Sequence, residues 1–263
     1  MNTIVSNAIE VNVIGKIPIT LEGAQLAIQN TERLLFDSQK VSIPTKVTLL
    51  EIGLEEVAKA WGILLSFEKD LISKNEEHID VFLESAHIDS KKLKKGIEKL
   101  ARKKEEFFGK YDVSSFLTPF NTQTFSNHKA KIKFLSKFIW YTREIQLPLF
   151  ENSYDAGKII NDVIGPYFPK NKLSNLEENY KAIYDILNIN DNKLEYIVNL
   201  KEHGLYLDIQ NGVYISPSSR SYETATLENL LALLLVMAKG DMAYLNIVLE
   251  KLSVKISAEK MSK

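Results

Sequence analysis

The stretch Thr48 to Phe67, TLLEIGLEEVAKAWGILLSF, constrains the fold more than any other part of the chain. At about 100° per residue, Leu50, Leu54, Val57, Trp61 and Leu64 make one broad apolar face of a helix. Leu49, Ile52, Ala60, Ile63 and Phe67 make a second. A polar strip of Thr48, Glu51, Glu55, Lys59, Gly62 and Ser66 runs between them, and Glu56 falls inside the second apolar sector. A helix apolar on two sides belongs in the middle of a bundle. Its charges must then be paired or serve a purpose, because stripping water from an unpaired carboxylate is very costly.

The rest of the chain can supply that bundle. Its 263 residues are 45% hydrophobic and 25% charged, which is enough for a core without staples. There is no cysteine, which excludes disulfides, zinc–thiolate sites, iron–sulfur clusters and cysteine nucleophiles. A net charge of −1 gives no bulk attraction to nucleic acid or anionic membrane, so such binding must come from local patches. The first residues show no basic start, apolar run and small-residue cleavage site. The longest apolar run, Leu230 to Ala238, is too short to span a bilayer. The expectation is a cytoplasmic protein with no membrane partner.

Most segments carry helical period. Helix one is expected from Leu21 to Gln39 behind Thr20, with Leu26, Ile28, Leu34 and Leu35 apolar. Ser42 and Pro44 open helix two, which reaches Ile72, and a weaker helix covers Asp80 to Ala86. The next helix starts after Asp89 or Ser90 with Leu93, Ile97, Leu100 and Phe107 on one stripe. Residues 112–124 read as a loop, and Ser126 caps a helix to Ile145. Ser174 to Glu177 is a capping box ahead of a helix to Leu187, and Asp191 to His203 is another helix, with Gly204 placed to end it. Asn211-Gly212 then sits between β-prone runs, a hairpin signal that sets Ile209 opposite Tyr214. Thr226 caps a helix to Ala238, Gly240 breaks it, and Asp241 starts the last one.

One constellation can carry chemistry. In NHKAKIKFLSKFIWYTRE the apolar stripe of Ile132, Leu135 and Ile139 extends back to His128, and Lys131 borders it. Lys129, Lys133 and Lys137 form a separate, water-facing stripe. If this helix packs on helix two, His128 and Lys131 meet Glu55, Glu56 and Lys59. Metal-free RNA cleavage needs groups that take and give protons and cations around a phosphate, which a histidine and lysines provide. The same five residues equally make a buried network that only fixes helix register.

These residues resemble a known family. LEEVAKA at Leu54 to Ala60 is similar to the Glu-Glu-x-x-Lys-Ala signature of the AbiV abortive-infection proteins, a branch of the HEPN superfamily. AIQNTERLLFDS at Ala27 to Ser38 resembles that family's first helix, and NHKAKI its His-Lys-x-Lys element. LKEHGLYLDIQNGVYISP resembles its Gly-Leu-Tyr-hydrophobic-Asp hairpin. Thr31 and Ser38 stand where alanine is usual, and Ala58 where glycine is common. Ribonuclease members of the wider superfamily carry an arginine followed four to six residues on by histidine. None of Arg33, Arg102, Arg143 and Arg220 has one, so a ribonuclease activity does not carry over on motif grounds.

The resemblance implies a mainly α fold: a HEPN-like antiparallel helical bundle with extra C-terminal helices and one β-hairpin. It is expected as a single elaborated domain over 18–260. Its parts are a helical core at 18–148, further helices at 149–204, the hairpin at 205–217 and C-terminal helices at 226–258. The implied function is antiphage abortive infection: arrest of growth or translation by action on RNA or the ribosome, with a phage-encoded protein as a possible trigger. The implied assembly is a homodimer paired through its helices. Glu55, Glu56, Lys59, His128 and Lys131 are the catalytic candidates for a metal-independent reaction, with no cofactor. Lys91, Lys95, Lys99, Arg102 and Lys129 are the RNA-binding candidates, since a lysine-rich run can track phosphates. A solvated helix face is the plainer account of that run. The alternatives are a non-enzymatic protein-binding effector and a purely structural helical interaction module.

No two histidines have the spacing that puts metal ligands on one helix face, and there is no Gly-rich phosphate loop and no Gly-x-Ser-x-Gly elbow. Tyr206 and Tyr214 read as packing residues.

Overall fold

A computed structural model describes residues 21–74, 91–110, 128–146, 148, 188–219, 222 and 224–261. It does not describe every side chain within those spans; those of Lys91, His128, Lys129 and Lys131 are among the ones left out. The expected helices at 80–86 and 174–187 and the loop at 112–124 lie outside the described residues. What is described is mainly helical: α1 (Leu21–Ser38), α2 (Ile43–Lys74), α3 (Lys91–Lys110), α4 (His128–Tyr141), α5 (Asp191–Leu205) and α6 (Thr224–Met261). Strands β1 (Asp208–Gln210) and β2 (Val213–Ile215) form an antiparallel two-stranded sheet between α5 and α6. None of the described helices is long and apolar enough to cross a membrane.

α2 is the central rod. Leu50, Leu54, Val57, Ala60, Trp61, Leu64 and Leu65 are all buried. α1 folds back on it, burying a face of small residues that includes Ala24, Ala27, Thr31 and Ser38. Thr31 and Ser38 survive burial because their hydroxyls donate to the carbonyls of Ala27 (2.8 Å) and Leu35 (2.7 Å). Leu26, expected on the apolar face, is exposed. The Trp61 ring stacks on Phe138 at 4.2 Å and meets Phe134 and Tyr141 edge-on at 5.3 and 5.4 Å, which seats α4 on α2. Phe107 joins the same aromatic core.

Two glycines work differently from their sequence reading. Gly204 does not end α5, which runs one residue further and stops with Tyr206 in extended backbone. A Cβ at Gly204 would lie 2.6 Å from both the Pro44 carbonyl oxygen and Thr48 Oγ1, so the glycine lets α5 close onto the start of α2. Gly240 does not break the last helix: α6 passes through it without interruption. Its apolar run is buried against α1 and α2, and packing outweighs the modest helix penalty of one glycine. The α-helical part of α4 stops at Tyr141. Thr142–Gln146 is a π-helical turn rather than a continuation to Ile145.

The hairpin follows its sequence signal. Asn211 and Gly212 both have positive φ, 52° and 76°, as a two-residue loop of the primed type demands, and Ile209 pairs with Tyr214. The Tyr222 hydroxyl lies 2.8 Å from the His203 carbonyl and 3.1 Å from that of Pro217, tying the hairpin's base to the end of α5.

Candidate functional site

The charges of α2 fall into two groups. In the first, α5 lies along the polar strip and brings Lys201 between two carboxylates. Its ammonium is 3.3 Å from Glu55 and 3.7 Å from Glu51, and Glu51 is fully buried. Burial pulls the Lys201 pKa down, but Glu51 and Glu55, with help from Glu202, outweigh it and hold the lysine above its ordinary value. Glu56 turns to the neighbouring face and pairs with Lys59 at 2.5 Å. Of the catalytic set read from the sequence, the side chains of Glu55, Glu56 and Lys59 are described. Glu55 faces Lys201, a residue that reading did not include, while Glu56 and Lys59 pair within α2. His128 opens α4, and the side chains of His128 and Lys131 lie outside the described residues.

The second group sits lower on α2 and was not foreseen. Glu68 of α2 forms a buried ion pair with Lys104 of α3. The Tyr141 hydroxyl at the end of α4 lies 3.4 Å from the same carboxylate. The π-turn carries Gln146 to Asp241 of α6, to which its amide donates, while Thr142 holds the other end of that amide at 2.8 Å. Tyr244 places its ring 5.4 Å from the Lys104 ammonium. Burial, then the Glu68 charge, push the Asp241 pKa up from 3.8 to about 7, with Lys104 and Gln146 opposing. Burial also pushes the hydroxyls of Tyr141 and Tyr244 well above their usual range. The charges of Glu68 and Lys104 thus act on Asp241 in opposite directions. π-turns of this kind gather at functional sites.

One signal for this group was legible. Lys104 lies four residues after Leu100 and three before Phe107, on the apolar stripe itself rather than off it, and it is buried. Asp241 gave no such sign, because it read as a helix start.

The basic candidates divide similarly. Lys95, Lys99 and Arg102 are all exposed and recur at four and three residues, which puts them on one face of α3. Lys103 beside them is exposed as well. Phe107, weighed as a base-stacking residue, is core. Lys137 of α4 is half-buried rather than fully in water, and burial together with Lys133 lowers its pKa. Tyr206 and Tyr214 are exposed, not packed. Among the described residues no group of three or more histidines and carboxylates can hold a metal ion.

No protein-family model matches the chain, and neither a curated protein nor a solved structure does.

Proposed function

We propose that this protein is an antiphage abortive-infection effector that arrests growth or translation by engaging RNA or the translation machinery. The observation that carries the reading is the exposed row of Lys95, Lys99 and Arg102 on α3. Such a row can neutralise backbone phosphates without reading sequence. A second observation bears on the motif resemblance. Its LEEVAKA and LKEHG elements stand 146 residues apart, yet Glu55 and Lys201 join them directly. The favoured form is binding rather than cleavage, because Glu55, Glu56 and Lys59 already spend their charge on partners within the fold.

A protein-binding effector triggered by a phage protein is the second reading. It is favoured by the outer face of α1, where Phe36 is exposed under the Lys40 ammonium (3.6 Å) beside the hydrogen-bonded row Asn30, Arg33 and Asp37.

Induced expression in a bacterial host separates the two. An RNA-directed effector arrests growth and loses that effect when Lys95, Lys99 and Arg102 become glutamate, while Phe36→Ala leaves it intact. The reverse pattern supports the protein-binding reading. Sequencing of cellular RNA ends after induction shows new termini only if the chain also cleaves.

A further inference from the structure

The two edges of the hairpin are not equivalent. In a two-residue hairpin the pair flanking the turn, here Gln210 and Val213, exchanges hydrogen bonds, and the alternation sends the N–H and C=O of Ile209 and Tyr214 to the outer edges. On the β1 side the Ile209 N–H donates to the Asp208 carboxylate at 2.8 Å, and the Gln210 amide donates to the same group at 3.1 Å. A charged side chain thus guards that edge. β2 reads Val213-Tyr214-Ile215, three strand-forming residues with no charge. Among the described residues nothing accepts from its outward N–H.

Natural sheets seldom leave an uncharged edge open unless something pairs with it. The apolar surface around this edge points the same way. Leu205, Tyr206, Leu207, Ile209, Val213 and Tyr214 are between 51% and 69% exposed. At roughly 100 Å² each they offer on the order of 600 Å² in all, spread over both faces of the hairpin, which approaches but does not reach the ~800 Å² per partner of a standard interface.

We infer that β2 is a self-association edge, on which a second copy of this chain pairs antiparallel about a two-fold axis at Tyr214. An odd-length strand suits this arrangement. Tyr214 faces its own copy and exchanges both outward hydrogen bonds with it, while Val213 faces Ile215 of the copy, so the patch is complementary to itself. A short extended peptide fits less well. The edge offers it only the one pair of backbone bonds, whereas a second copy also brings its own apolar patch. This contact is separate from the helix-to-helix pairing that the motif resemblance implies and does not depend on the proposed RNA engagement.

The test uses the full chain and measures mass in solution across a concentration series. Tyr214→Lys and Tyr214→Glu change an exposed side chain, so both variants keep the wild-type helical content. Wild type is expected at twice the mass of each variant alone, and an equal mixture of the two again at the wild-type mass, because opposite charges then meet at the axis. A monomeric wild type overturns the inference, as does a dimer that Tyr214→Lys leaves intact. A mixture that stays monomeric overturns the two-fold register at Tyr214.

Discussion

The Lys104 ammonium is bonded to the Glu68 carboxylate where both side chains are nearly sealed from water, 10% and 7% exposed. The pair joins α3 to α2 under the aromatic cluster of Trp61, and Asp241 is the second carboxylate beside the same lysine. Charge in the middle of this bundle is therefore organised across helices, and its consequences can be measured.

The first consequence is a pH dependence. Asp241 titrates at 3.8 when unperturbed and at about 7 in the fold. Its folded pKa is raised, so its contribution to stability is fully present below pH 3.8, declines as pH rises, and is lost above about 7. Across that window the group should cost the fold on the order of 4 kcal/mol. Asp241→Asn cannot ionise and still accepts from Gln146. It should flatten the dependence and be more stable than wild type at about pH 8. Denaturant titrations of both proteins at several pH values check this; parallel curves contradict it.

The second concerns Lys201. Replacing it with methionine leaves Glu51 buried beside Glu55 without the Lys201 charge. Because Lys201 is itself partly exposed, the cost should be about 2 to 3 kcal/mol, below that of breaking a fully buried pair. Adding Glu51→Gln should restore much of the loss. A thermal melt of the single and double variants reads both effects, and equal destabilisation in the two contradicts the pairing.

How far these features can be read in the sequence depends on what sets them. The central place of α2 and the hairpin register follow from local signals: two apolar faces on one helix, and an Asn-Gly loop between β-prone runs. The unbroken α6 does not, since Gly240 reads as a stop and only the packing of Leu230 to Ala238 overrides it. The buried group at Glu68 is hidden for a related reason. Its members come from α2, α3, α4, the π-turn and α6, and a π-turn shifts side-chain phase in a way that no regular periodicity announces. The need of the α2 carboxylates for partners is legible in the sequence, because they sit on a helix apolar on two sides. The partner of Glu55 came from α5, which lies 146 residues along the chain, beyond the reach of a local pattern.

Gly204 gives a third prediction, and its sign separates two accounts of the residue. A glycine that only ended a helix would tolerate alanine, which even gains about 1 kcal/mol of helix propensity. Here the new methyl meets the Pro44 carbonyl and Thr48 Oγ1 at 2.6 Å, and one of these is backbone that cannot step aside. Gly204→Ala should therefore lose about 1 to 3 kcal/mol. A melt that moves upward would show that α5 is not so closely seated.

The functional proposal rests on the outer face of α3, so the most direct test is RNA binding by the purified chain across a salt series, with Lys95, Lys99 and Arg102 intact or changed to glutamate. All three are exposed, and the triple variant should melt as wild type does. Wild type should bind single-stranded RNA more weakly as salt rises, and the variant should lose most of that affinity, its log–log slope falling by about 2 at roughly 0.7 per phosphate contact. A folded variant that binds RNA as tightly as wild type, with the same salt dependence, would contradict the proposal.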